Sequence, residues 1–276
     1  HILVAAEDEL QNQGDRQTQY VRRARQKVFD PLMVLSFLAS RTDTVKLGTS
    51  ILVLPLRHPA VSARLIASLD VLSAGRAIAG VGAGWMRAEF KALGVSYEEA
   101  GRRTDEYIQA MQALWTQDQP RFSGGYVAFD GVEFNLPCVQ RPHPPIWVGG
   151  RTKYSLRRAV RFAAAWHPSH LTVAEFKAHR PDIERLCTEF DRDPATLALT
   201  TRRAFAGVMA DTSIEPTQRR VLGGSVDEVL GDIRALAEAG ISHLLLEFTS
   251  KDRAEVEDQI RWLAAEVLPS VKAMAV

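Results

Sequence analysis

The strongest constraint on the fold is a rhythm. A short β-branched or apolar run, a Gly or Pro break and a longer segment of helical period follow one another six times along the chain. The predicted strands are Val45–Leu54, Arg76–Val81, Pro145–Val148, Ala163–Trp166, one within Thr196–Met209, and Ile241–Phe248. Their helices are predicted at about Pro59–Leu72, Met86–Leu93 continued by Thr104–Trp115, Lys153–Phe162, Ala174–Phe190, Val226–Ala239 and Ala254–Leu268. Local chemistry supports these boundaries: Pro59 sits where a helix can begin without its N–H, and Gly240 where a helix can end in a left-handed turn.

Strands alternating with helices imply a parallel sheet, either open and doubly wound or closed as a (β/α)8 TIM barrel. The closed form needs eight strands. His1 heads a short apolar run, Ile2 to Ala6, and if that run ends a second strand, six strands plus two upstream make eight. On that expectation the chain as given lacks its first βαβ unit. After it comes a polar stretch, Glu7 to Lys27. One interruption breaks the rhythm at about 117–144, where Phe122–Pro144 is rich in Gly, Pro and aromatic residues and is predicted to hold a β-hairpin insertion. Nothing resembles a linker, so residues 1–276 are expected to form a single domain.

Composition narrows the partners. With 34 basic and 33 acidic residues the formal charge is +1, which leaves no broad field for nucleic acid or an anionic membrane surface. No apolar run approaches the roughly 20 residues of a membrane span. Two cysteines, Cys138 and Cys187, make no disulfide framework, and a reducing cytoplasm is the expected location. His167 and His170 stand three apart without a third ligand at matching spacing, so no metal is expected.

Two strand ends carry glycine. Gly80-Val81-Gly82-Ala83-Gly84-Trp85 follows one predicted strand and opens a helix, but the run is GxGxG and no second strand with an acidic end follows, so it is not a dinucleotide fingerprint. It reads either as a bare edge where a flat ligand meets the backbone or as close packing of strand on helix. Gly149-Gly150-Arg151-Thr152 precedes another helix. Its free N–H groups, Arg151 and the Thr152 hydroxyl suit an anion, although a plain left-handed turn explains the glycines equally well.

The stretches DPLMVLSFLASRTDTVKLGTSILVLPLRHP, LDVLSAGRAIAGVGAGW, EEAGRRTDEYIQAMQALW and VQRPHPPIWVGG resemble the luciferase-like monooxygenase superfamily, in particular its actinobacterial branch that uses the deazaflavin coenzyme F420. Weaker similarity continues through AAWHPSH and SVDEVLGDIRALAEAGISHLLLEF. The resemblance implies a TIM barrel with a central insertion, a homodimer, and a cofactor at the strand ends. It implies a catalytic role in proton transfer for His1, whose imidazole suits the task with an unperturbed pKa of about 6.5; a frayed terminus is the alternative. It places a cis peptide at Thr49-Ser50-Ile51, with Ser50–Ile51 the expected bond. Ala83, Gly84 and Trp85 match positions lining the ring and its ribityl chain, and Gly149, Gly150, Arg151 and Thr152 the region of the phosphate. Glu89 is a further polar residue, with a solvated helix face as its other reading.

His58, Trp166, His167 and Arg203 are expected at the substrate pocket. His58 reads equally as the cap of its helix. Arg202 and Arg203 point to opposite faces of one strand, so one faces the barrel interior, either to hold an anionic substrate or to pair with Glu247. The implied activity is hydride exchange between F420 and a small organic substrate. The alternatives are an FMN-dependent monooxygenase using oxygen and a reductase partner, and a barrel that binds the coenzyme without chemistry.

Overall fold

The computed structural model describes residues 2–3, 29–205, 222–248, 250 and 252–274. His1 and the polar stretch Glu7–Lys27 lie outside the described residues. Contacts divide the chain into two compact units, His1–Ala165 and Trp166–Val276.

The first unit is built on β3 (Ala77–Gly82), whose residues are almost all buried. Three strands pair with it in parallel: β1 (Leu47–Gly48), β2 (Leu52–Val53) and β6 (Ile146–Gly149). The expected single strand Val45–Leu54 is thus two short ones. Between them Thr49 leaves the ladder and its hydroxyl donates to the Gly80 carbonyl at 2.6 Å, and after β2 the chain tightens into a single 3-10 turn, Leu54–Leu56. The bond Ser50–Ile51 is cis, at the expected position, and Arg141–Pro142 is a second cis bond.

Helices of this unit begin where the side chains can take up their free N–H groups. Asp30 caps α1 (Pro31–Ala39), with its carboxylate accepting from Leu32 and Met33, while His58 Nδ1 accepts from Ala60 at the head of α2 (Pro59–Leu72). α2 lays Ala63, Ile66, Ala67 and Leu69 into the core at helical spacing. α3 (Arg87–Ala92) and α4 (Ala100–Thr116) follow β3; α4 starts four residues before the expected Thr104. α5 (Lys153–Phe162) opens on Thr152, whose hydroxyl accepts from the Ser155 N–H.

The insertion holds the expected hairpin, but only as β4 (Phe122–Ser123) against β5 (Ala128–Phe129). Two carboxylates fasten it. Glu106 on α4 accepts from the N–H groups of Gly125, Tyr126 and Val127 at 2.7–2.8 Å, and the buried Asp70 on α2 accepts from Val139 and Gln140.

In the second unit β8 (Ala198–Phe205) and β9 (Ile241–Phe248) pair in parallel over seven registered positions. β7 (Ala165–His167) lies at the boundary between the units. The core of this unit gathers Phe205, Leu222, Val229, Leu230 and Val267, with Leu244, Leu246 and Phe248 packed on it. Capping boxes open α6 (Val173–Glu189) through Thr172 and Glu175, and α7 (Val226–Glu238) through Ser225 and Glu228. The last helix overruns its expected end: α8 (Arg253–Trp262) passes through a π turn into α9 (Leu268–Met274). Pro269 has no N–H for the carbonyl of Ala265, which is where the regular ladder changes.

Candidate functional site

In the first unit the C-terminal ends of β2, β3 and β6 meet. Their registers set Val53 beside Gly82 and Val81 beside Val148, so Gly82 and Gly149 end their strands side by side. The Ile51 side chain fills the space over Gly82: a Cβ there would lie 2.7 Å from Ile51 Cδ1 and 3.8 Å from the Gly149 carbonyl oxygen. The structure therefore brings Thr49, Ser50, Ile51, Ala83, Gly84, Trp85 and Gly149 to one edge.

Close packing accounts for the glycines in β3 and just after it. A Cβ at Gly80 would stand 1.7 Å from the Thr49 carbonyl oxygen, and one at Gly84, where φ is +83°, would stand 2.5 Å from Val53 and 2.9 Å from Phe90. Of the two readings of GVGAGW, packing of strands and helix explains why each glycine is glycine. The same packing leaves a shelf. Ser50, Ile51, Ala83, Gly84 and Trp85 stay partly accessible above a fully buried Met86, so the edge is formed by small side chains and backbone with one indole beside it.

Next to the shelf the chain turns at Gly150, where φ is +116° and a Cβ would press on Ser155 at 2.8 Å. Gly150, Arg151, Thr152 and Lys153 are exposed and lead into the ten residues of α5. Amide N–H groups at that helix start, with the charges of Arg151 and Lys153, suit a phosphate. A shelf of backbone and small side chains, with Ile51 packed over Gly82 and the Trp85 indole beside it, ending at a cationic helix start, thus fits a flat ring carrying a phosphate-bearing tail.

Glu89 is not on a solvated face. It is 2% exposed on the first turn of α3, and its Oε1 accepts from the backbone N–H groups of Ile2 and of Leu3, the latter at 2.9 Å. Nothing in the local pattern announces this, because the partners are more than eighty residues away in sequence. His58 is an exposed cap at the head of α2, accepting from Ala60 at 3.3 Å.

The remaining expected residues belong to the second unit. Trp166 is fully buried, edge-on to Phe176 and His179 of α6, so its indole packs in the helix layer. His167 points to the other face. Its Nδ1 lies 2.7 Å from the Thr200 hydroxyl, which donates onward to the Trp166 carbonyl at 3.2 Å. Burial, helped by the positive charges of Arg202 and His243, pushes the His167 pKa down to about 4, and the ring is neutral at physiological pH.

Of the two arginines, Arg202 shares this face. It lies 3.6 Å from Glu247, as does His170, whereas Arg203 donates to the Leu171 carbonyl at 2.6 Å. Strand alternation separates the two: Phe205 packs into the helix-side core with Leu246 and Phe248, which turns Arg203 to that side and leaves Arg202 facing Glu247.

Parallel strands whose C-terminal ends form an open shelf, each followed by a helix, define an α/β protein of the kind that carries its ligand at the strand ends. The chain belongs to the luciferase-like monooxygenase family, whose model matches residues 13–215. It is 32% identical over 149 residues to an FMNH2-dependent dimethylsulfone monooxygenase of Pseudomonas putida, covering 53% of this chain and 41% of that one. The chain spans half or less of the length of this and the mycobacterial curated relatives it matches. Among solved structures, the monooxygenase RslO1 of Streptomyces bottropensis is similar with a TM-score of 0.74 at 23% identity, covering 88% of this chain and 83% of that one. An F420-dependent secondary alcohol dehydrogenase is similar with a TM-score of 0.73 at 18% identity, covering 85% and 83%. These likenesses show the fold, that of the luciferase-like TIM-barrel enzymes.

Proposed function

We propose that the protein is an F420-dependent oxidoreductase that exchanges a hydride with a small organic substrate, with residues 1–276 acting as one catalytic domain. The observation that carries this reading is the shelf at the ends of β2, β3 and β6, continuous with the cationic start of α5. When bound, the deazaflavin supplies a ring carbon that gives or takes the hydride. The chain's own residues bind and orient. Ser50, Ile51, Ala83 and Gly84 offer a flat backbone edge, Trp85 closes one side, and the helix start at Gly149–Lys153 neutralises phosphate. His1 is assigned the proton transfer that accompanies hydride exchange. Placing the reactants on a rigid strand edge lowers the entropic part of the barrel enzyme's task.

FMN is the second reading, favoured by the 32% identity to an FMNH2-dependent monooxygenase. That reading adds oxygen and a reductase partner that supplies reduced cofactor. Cysteines that are both buried and unpaired agree with a reducing cytoplasm.

Fluorescence titration of the full-length protein with oxidised F420 and with FMN separates these readings. The proposal expects F420 to bind at least about tenfold tighter, a difference of about 1.4 kcal/mol. Tighter binding of FMN would reject it in favour of the monooxygenase, and F420 bound without any substrate-dependent redox turnover across a panel of alcohols and ketones would leave only a carrier barrel.

A further inference from the structure

We propose that the exposed face of α5 is a binding surface for an oligo-carboxylate, the glutamyl tail that F420 carries beyond its phosphate. The proposal rests on the F420 reading given above and deepens it, since FMN ends at its phosphate.

The surface begins with an uneven distribution of charge. The whole chain is balanced at +1, yet residues 135–174 hold six Lys or Arg and no Asp or Glu. Four of the six, Arg151, Lys153, Arg157 and Arg161, are exposed. Helix geometry gathers the last three: at 100° per residue, Lys153, Tyr154, Arg157 and Arg161 fall within an arc of about 100°. The opposite side of α5 is buried through Ser155, Leu156, Arg158, Ala159 and Val160. Arg158, on that inward side, serves the fold by pairing with Asp105 of α4 and donating to the Gly101 carbonyl at 2.9 Å.

This arrangement opposes helix formation. Lys153 with Arg157, and Arg157 with Arg161, are like charges at i,i+4. Arg151 and Lys153 also stand at the N-terminal end, where the helix dipole disfavours cations and the first turn holds no acidic residue. A string of carboxylates relieves both. The stripe starts at Gly149–Lys153, the segment assigned to the phosphate, and runs about 12 Å from Lys153 to Arg161 at 1.5 Å per residue. A tail leaving the phosphate along α5 therefore meets Arg157 and then Arg161. Tyr154, 66% exposed with its ring centroid 5.3 Å from Lys153 Nζ, offers an apolar surface to the methylene groups of such a tail.

Two deazaflavins decide the matter: F420 with its oligoglutamyl tail, and the same ring and phosphate without glutamate. Fluorescence titration of the full-length protein at low salt should show the tailed form binding about tenfold tighter, because exposed ion pairs are weak singly and several act together. Raising the salt to about 0.5 M should erase most of that preference. In Arg157→Gln/Arg161→Gln, which leaves the phosphate segment intact, the tailless form should bind within about twofold of wild type and the preference should fall below about threefold. Arg157→Lys/Arg161→Lys keeps the charges and should keep most of the preference. Equal affinity of the wild type for the two forms, or a full preference retained by the Gln variant, would overturn the tail surface while leaving the F420 reading intact. Binding of FMN and of neither deazaflavin would reject the cofactor reading and the tail surface together.

Discussion

At the residue scale, Gly80 and His167 show two ways in which one side chain is dictated by its neighbours. The Thr49 carbonyl oxygen leaves no room at Gly80, since an added Cβ would sit 1.7 Å away. Gly80→Ala should therefore push β1 and β3 apart and destabilise by about 3 kcal/mol or more, lowering Tm by roughly 6–12 °C. A variant within 2 °C of the wild type would contradict the packing account. His167 titrates with the opposite sign to a salt-bridged histidine. Its pKa is about 4 in the folded protein and near 6.5 when unfolded, so the unfolded state binds the extra proton between those values. Stability is full above pH 6.5 and is lost as pH falls toward 4, by about 2 kcal/mol at pH 5. Urea midpoints at pH 7 and pH 5 should show this drop, and His167→Gln should flatten it. A drop of equal size in the variant would assign the pH dependence elsewhere.

Elements were legible in the sequence where their signals are local. Pro59 and Thr152 mark the helix starts that the structure shows, and Ile241–Phe248 is the strand that its apolar pattern announces. Signals failed where a distant partner decides. Three N–H groups of the hairpin converge on Glu106, partners that no local pattern announces, and Arg103 stacks 4.3 Å over the Tyr126 ring. Arg203 and Arg202 are equivalent by sequence, and only the register of β8 on β9 distinguishes them. Because Glu106 clamps the hairpin, Glu106→Ala should strand those donors at a cost of about 1–3 kcal/mol and open the segment to proteolysis. Limited trypsin digestion should then cut at Arg121 several times faster than in wild type, while an unchanged rate would mean the hairpin is held by other contacts.

For the whole molecule, the βα rhythm and the quoted motifs led to the family and the fold, because parallel strands followed by helices leave few ways to bury a sheet on both faces. The same rhythm carries no information on how copies associate. On α1, Met33 and Phe37, one turn apart, are 70% and 62% exposed, with Phe29 at 74% just before the helix. We propose this apolar face as the contact of the homodimer that the family resemblance implies. Light scattering should give twice the chain mass for the wild type and half that value for Met33→Glu/Phe37→Glu, and a monomeric wild type would remove the dimer from the account.

The central claim is that one shelf, formed where β2, β3 and β6 end, holds the redox cofactor. A crystal structure of the full-length protein with F420 bound tests it most directly. The account predicts the ring against Ser50–Ile51 and Ala83–Trp85, with the phosphate at Gly149–Lys153. A cofactor seated away from these residues, for example against Arg202 and Glu247 alone, would contradict it.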